Sequence, residues 1–159
     1  MRLEKDGTHT VLSGGMNGQK FSGPNDIAIA ADDAVYVADN DFGLRDAGKN
    51  PDKQLQNGIY RIKDGKTTLV LSGTDLGGTP NDIALSPDGK WMYLSTSGRK
   101  MRRYAVNPDG TFGAFTVFTE GVGIGDGQKT DKAGNVLSAR GAGPRVIRMC
   151  STQPELRAD

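Results

Sequence analysis

One pattern recurs three times along this chain of 159 residues, and it limits the architecture more than any other feature. The first copy is Gly23-Pro24-Asn25-Asp26-Ile27-Ala28-Ile29-Ala30, a polar break, then Ala34-Val35-Tyr36-Val37-Ala38-Asp39. The second is Thr79-Pro80-Asn81-Asp82-Ile83-Ala84-Leu85-Ser86, a break, then Trp91-Met92-Tyr93-Leu94-Ser95-Thr96. The third is Ile124-Gly125-Asp126-Gly127-Gln128-Lys129-Thr130-Asp131, a break, then Asn135-Val136-Leu137-Ser138-Ala139-Arg140. Asn25 and Asn81 lie 56 positions apart, Asn81 and Asp126 lie 45 apart. A period of about 50 residues is that of a β-propeller blade.

Each copy reads as a polar pair, a strand, a tight turn and a second strand. Ser86-Pro87-Asp88-Gly89 carries Pro at the second turn position and Gly at the fourth, as a type I turn prefers. Alternating Val35 and Val37, or Trp91 and Tyr93, have the two-residue spacing and residue types of strands. Further strands are expected at 58–62 and 68–71 around Lys63-Asp64-Gly65-Lys66, and at 101–106 and 114–118 around Asn107-Pro108-Asp109-Gly110. Each repeat thus supplies about four short strands. Glycine, at 23 of 159 residues, is about twice its usual share and serves the many turns. No segment has helical periodicity, so the chain is expected to be all-β. The partial propeller should span 1–149, with an irregular tail over 150–159.

Charge and composition narrow the chemistry. Twenty Lys+Arg against 19 Asp+Glu, with both signs scattered, give a net charge of +1 and no basic patch for nucleic acid. A single Cys, Cys150, excludes an internal disulfide and a thiolate zinc site. His9, the one histidine, lies too near the N-terminus to centre a Ser-His-Asp triad. Any bound metal would take oxygen ligands, which favours Ca²⁺, Mg²⁺ or Mn²⁺. No apolar run approaches the roughly 18 residues of a membrane span. The first residues lack the apolar core of a signal peptide, so the chain as written reads as cytoplasmic; an upstream segment would carry any export signal.

The polar pairs Asn25-Asp26 and Asn81-Asp82, with Asp126, open innermost strands at equivalent places in successive blades. Equivalent positions at the entrances of inner strands converge on one channel mouth. Side-chain oxygens gathered there can hold a hard cation, or the same residues can act only as turn caps. The turn acids Asp33, Asp88 and Asp109 are expected to be structural, as is Asp131, which resembles a second-strand position.

These same segments carry a family resemblance. Gly23-Pro24-Asn25-Asp26, then Asp39-Asn40-Asp41-Phe42-Gly43-Leu44-Arg45, then Asn57-Gly58-Ile59-Tyr60-Arg61, resembles the gluconolactonase branch of the senescence-marker-protein/gluconolactonase family, which also contains luciferin-regenerating enzyme. Pro80-Asn81-Asp82-Ile83-Ala84-Leu85-Ser86-Pro87-Asp88-Gly89-Lys90 is similar to that family's most recognisable segment, and 123–136 resembles a third. The resemblance implies a six-bladed β-propeller, of which this chain holds about three blades, and metal-dependent opening of a sugar lactone or similar cyclic ester. It implies Asn81 and Asp126 as ligands of a divalent metal, calcium foremost, with Zn, Mg or Mn as alternatives. Asn25 falls where the family contacts substrate or a metal-bound water, and Arg45 lies on the variable loop over the channel as a substrate contact. Asp126 is also the candidate base, although a ligating carboxylate is a weak one and a second acid is called for. Asp26 and Asp82 would orient loops or neighbouring groups.

The family's remaining metal ligand, a Glu on the first blade, has no counterpart, since Glu4 is not in that motif. Three explanations stand: a piece of a longer enzyme, a half-ring that closes with a second copy, or a truncated product. An open half-ring would expose strand edges through which copies could associate. The competing reading is a propeller module that binds without catalysis.

Overall fold

The computed structural model describes residues 1–47, 55–121, 125–140 and 145–150. Among them the chain is all-β apart from two short 3₁₀ segments, Phe42–Ala47 and Gly73–Leu76. Two minor ladders come first. They pair β1 (Arg2–Leu3) with β2 (His9–Thr10), and β3 (Gly15–Met16) with β4 (Gln19–Lys20). These strands of two residues were not foreseen, because stretches so short and polar carry no alternating pattern.

Three antiparallel blades follow. Blade A orders β5 (Pro24–Ile29), β6 (Val35–Asp39), β7 (Gly58–Lys63) and β8 (Lys66–Ser72) side by side. Blade B repeats this with β9 (Pro80–Leu85), β10 (Trp91–Thr96), β11 (Lys100–Val106) and β12 (Phe112–Glu120). Blade C has three strands among the described residues, β13 (Gly125–Thr130), β14 (Val136–Arg140) and β15 (Arg145–Met149), where four were expected. The expected tail, beyond the exposed Cys150, lies outside the described residues.

The turns follow their residue chemistry. Asp64 and Gly65, with φ of 50° and 74°, join β7 and β8 in the left-handed two-residue turn that matches strand twist. Asp88 accepts hydrogen bonds from the Lys90 N–H at 3.1 Å and the Ser86 hydroxyl at 2.6 Å. Asp109 accepts from the Thr111 N–H at 2.9 Å. In the first hairpin the expected residue is displaced by one. Asp32, not Asp33, caps the turn by accepting from the Ala34 N–H at 3.2 Å, and Asp33 takes the left-handed position at φ 63°. Gly89 and Gly110 fill that position elsewhere, at 69° and 80°. Asp131 is structural as expected, but it lies in the turn after β13 rather than on a second strand; it accepts from the N–H groups of Ala133 and Asn135 at 2.9 Å each.

The two-residue period of β10 builds the core on both sides of blade B. Met92 and Leu94 point towards blade A and join Tyr36, Ala38, Ile59, Ile83 and Tyr104 in one buried cluster. Tyr93, between them, points the other way and meets Met101, Phe118, Val136 and Met149 of blades B and C. On β5, Ala28 faces blade B, while Ile27 and Ile29 are 52% and 65% exposed on the opposite face. That face continues as an apolar groove past Leu12, Phe21, Val35 and Ile62.

The innermost strands stand side by side, β5 next to β9 and β9 next to β13. Polar side chains stitch them together. The Asn40 amide donates to the Pro80 carbonyl at 2.8 Å, and the Thr130 hydroxyl to the Leu85 carbonyl at 2.7 Å. Gln128, 1% exposed, accepts from the Ser95 hydroxyl at 2.8 Å and donates to the Tyr93 carbonyl at 3.0 Å. Hydrogen bonds of this kind offset the cost of desolvating the buried polar groups at the blade interface.

Candidate functional site

Asn25, Asn81 and Asp126 each occupy the second position of an innermost strand, β5, β9 and β13. The adjacency of those strands brings all three to the same end of the propeller axis. Asn25 and Asp126 are exposed, whereas Asn81 is 7% exposed. The backbone of Arg45 lies in the 3₁₀ segment Phe42–Ala47, and its side chain lies outside the described residues. Half of the loop expected over the channel, 48–54, lies outside them as well.

The residues beside these three do most of the local organising. Asp26 accepts the Ile83 N–H across the blade boundary at 3.1 Å through Oδ2, and its own neighbour's N–H, from Ile27, at 2.9 Å through Oδ1. Lys129, whose side chain is largely exposed, stands 3.8 Å from that Oδ1. At the next boundary Asp82 accepts the Gly127 N–H at 2.9 Å through Oδ1. Asn81 donates its Nδ2–H to the Gly125 carbonyl. The Asn-Asp pair of blade B therefore grips both peptide groups that flank Asp126. Within blade C that stretch leaves the ladder: pairing with β14 shifts register between Gly125 and Gln128, the geometry of a β-bulge.

Gly125 is part of the same construction. A Cβ there would stand 2.7 Å from Asp82 Oδ2, 2.9 Å from Ser138 Oγ and 3.0 Å from Ser95 Oγ. Three side-chain oxygens thus close on its Cα, and only glycine leaves them room. Asp82 is 2% exposed, and its Oδ2 is buried without a hydrogen-bond partner among the described residues. Burial pushes its carboxyl above the usual carboxylate range, the Gly127 N–H draws it back, and the charges of Asp26 and Asp126 push it further up.

The donors suit a hard cation in kind. With Nδ2 of Asn81 committed to Gly125, its Oδ1 is the end left to ligate, and Asp126 offers an exposed carboxylate. In number they are few: among the described residues, no group of three or more His, Cys, Asp or Glu side chains converges to hold a metal ion.

Reasoning from sequence placed Asn25, Asn81 and Asp126 on equivalent strands, but gave no partners to Asp82, Asp39 or Asn40. Asp39, fully buried, accepts the N–H groups of Ser22 and Gly23 at 2.9 and 2.8 Å and so anchors the segment entering β5. An Asp-Asn pair closing a hydrophobic strand was the available signal.

Comparison with known proteins bears on the family and the fold. Residues 1–157 match the model of the SMP-30/Gluconolactonase/LRE-like region. A gluconolactonase of Zymomonas mobilis is 30% identical over 148 residues, which cover 84% of this chain and 41% of that protein. An L-arabinolactonase of Azospirillum brasilense is 31% identical over 111 residues, covering 67% of this chain and 36% of its own length. The solved structure of a gluconolactonase from Xanthomonas campestris superposes with a TM-score of 0.75 at 28% identity, covering 91% of this chain and 50% of that one. The chain spans less than half the length of these two curated relatives. Its blades are those of the six-bladed propeller type, as the family resemblance implied. By sequence match along nearly its whole length, and by fold, the chain belongs to the SMP-30/gluconolactonase/LRE-like family.

Proposed function

We propose that this chain carries part of the active site of a metal-dependent lactonase that opens a sugar lactone or similar cyclic ester. The observation that carries the reading is the grip of Asn81 and Asp82 on the two peptide groups flanking Asp126, which presents one exposed carboxylate beside one amide oxygen. The relatives named gluconolactonase and L-arabinolactonase support the substrate class. A divalent cation, calcium foremost, would be held by Asn81 Oδ1 and Asp126; when bound, it supplies Lewis-acid polarisation of the ester carbonyl.

The chain's own groups do the rest. Asn25, exposed on the neighbouring strand, can hydrogen-bond to the substrate or to the attacking water. The carboxylate of Asp126 can take that water's proton as its oxygen attacks the carbonyl carbon. The tetrahedral intermediate then collapses with cleavage of the ring C–O bond, and the leaving alkoxide takes the proton that Asp126 received from the water, which returns Asp126 to its carboxylate form. Arg45, on the 3₁₀ segment Phe42–Ala47, is assigned to substrate contact on the family resemblance alone.

A binding module without catalysis is the second reading, favoured by the small donor set among the described residues. One experiment separates them. The purified chain is assayed for glucono-lactone hydrolysis with Ca²⁺, Zn²⁺, Mg²⁺ or Mn²⁺, beside Asp126→Ala. A metal-dependent rate that the substitution abolishes is expected. A folded chain with no such rate refutes the lactonase reading for this chain, and a rate indifferent to the substitution refutes the assignment of Asp126.

A further inference from the structure

We propose that Asp82 is the positioning residue of this site: its carboxylate, buried behind β13, fixes the peptide that aims Asp126 into the channel. The inference rests on Asp126 being the site carboxylate, as proposed above, and goes beyond it by naming the group that holds it in place.

Asp126 sits in the one part of β13 that its own sheet does not hold. The ladder with β14 pairs Gly125 with Arg140 and resumes at Gln128 with Ser138, so Asp126 and Gly127 are skipped. Gly127 takes φ 96°, a conformation that leaves its N–H directed away from the ladder. That N–H donates to Asp82 Oδ1 at 2.9 Å, while the carbonyl of Gly125 accepts from Asn81. Residues 126 and 127 are thus held from blade B.

The same device stands at the preceding boundary and differs in burial. Asp26 accepts from Ile83, which borders the register shift of β9 against β10, and is only partly buried. Asp82 is 2% exposed, and its Oδ2, close to Gly125, has no hydrogen-bond partner among the described residues. Burying a carboxylate oxygen without a partner is unfavourable. A neutral acceptor of the same shape would bond Gly127 equally well, and its second atom could donate to the serine hydroxyls.

The test uses the whole chain and nuclear magnetic resonance. In the wild type, a scalar coupling across the hydrogen bond should link the Gly127 N–H to the Asp82 carboxyl carbon. Asp82→Ala should speed amide exchange at Gly127 about tenfold or more, the loss of one charge-assisted hydrogen bond. Asp82→Asn should restore slow exchange. With Mn²⁺ as the probe, the amide signals of Asn81 and Asp126 should broaden in the wild type and in Asp82→Asn at a concentration that leaves Asp82→Ala sharp.

Unchanged exchange at Gly127 in a folded Asp82→Ala overturns the inference, whatever the metal does. Absence of the coupling in the wild type overturns it without any variant, should Asp82→Ala fail to fold. Broadening equal in the wild type and Asp82→Ala overturns it too. Fast exchange in Asp82→Ala with no Mn²⁺ broadening in the wild type upholds the positioning role and refutes instead the metal reading on which it was built.

Discussion

Adding one methyl group at Gly125 puts the geometry of the site to a quantitative test. An ideal Cβ would lie 2.7, 2.9 and 3.0 Å from Asp82 Oδ2, Ser138 Oγ and Ser95 Oγ, closer than real Cβ contacts allow. No backbone penalty confuses the result, because Gly125 does not need a left-handed φ. Relief must come from the oxygens, and two of the three residues are committed. Moving Asp82 strains its 2.9 Å bond to Gly127, and moving Ser95 strains its 2.8 Å bond to Gln128. Overpacking of this kind costs about 1–3 kcal/mol, which in a chain of this size lowers Tm by about 2–12 °C. Urea unfolding followed by the fluorescence of Trp91, the single tryptophan, reads the difference directly. Ser138 Oγ makes only a 3.3 Å bond to the Ala139 carbonyl, so Ser138→Ala should make room cheaply. Gly125→Ala should therefore cost less in that background than alone. Gly14, with no atom within 4 Å of its ideal Cβ, is the control, and its alanine variant should stay within about 0.5 kcal/mol of wild type. A Gly125→Ala chain as stable as the control would mean that the three oxygens do not close on β13.

Two further outcomes are expected. Tyr36→Phe removes the hydroxyl that donates to the Gly110 carbonyl at 2.9 Å across the boundary of blades A and B, and should cost about 1 kcal/mol in urea unfolding; no change would deny that bond a role in blade packing. Burial raises the phenol pKa of all four tyrosines, with Tyr60 and Tyr104 pushed up to about 12. The folded chain then binds more phenolic protons than the unfolded one above pH about 10, so stability should fall as pH rises from there towards 12. Phenolate absorbance should accordingly appear late and together with unfolding, whereas ionisation of all four near 10 in a folded chain would contradict their burial.

The repeat was legible because its signals are local. Asn81, Ile83 and Met92 announce a strand entrance, a strand and a partner strand within a dozen residues, and the same order returns in the neighbouring blades. Asn25, Asn81 and Asp126 could be placed at one axis for that reason. What was not legible depends on pairs 40 and more residues apart. The bond from Asp82 to Gly127 spans 45 positions. The roles of Asp32 and Asp33 in the first turn were hidden for a local reason, since either of two adjacent acids could take the left-handed conformation. The bulge at Asp126 was hidden as well. A Gly-Asp-Gly stretch fits a regular strand entrance or a bulge equally, and the choice is made by Asn81 and Asp82 reaching over from the neighbouring blade.

The hydrogen bonds from Asp26 to Ile83 and from Asp82 to Gly127 share a direction: each carboxylate reaches from its own blade to the one that follows it in sequence. A structure linked in this way has a grammar. Blade B carries both halves, the acceptor for its successor and the donor for its predecessor, so duplicating such a repeat copies a complete joint along with the sheet. Rings of this kind can gain a member by gene duplication without inventing a contact. The same polarity makes the joints unequal targets for divergence: a repeat can lose its own carboxylate and weaken only the boundary ahead of it, leaving the one behind intact.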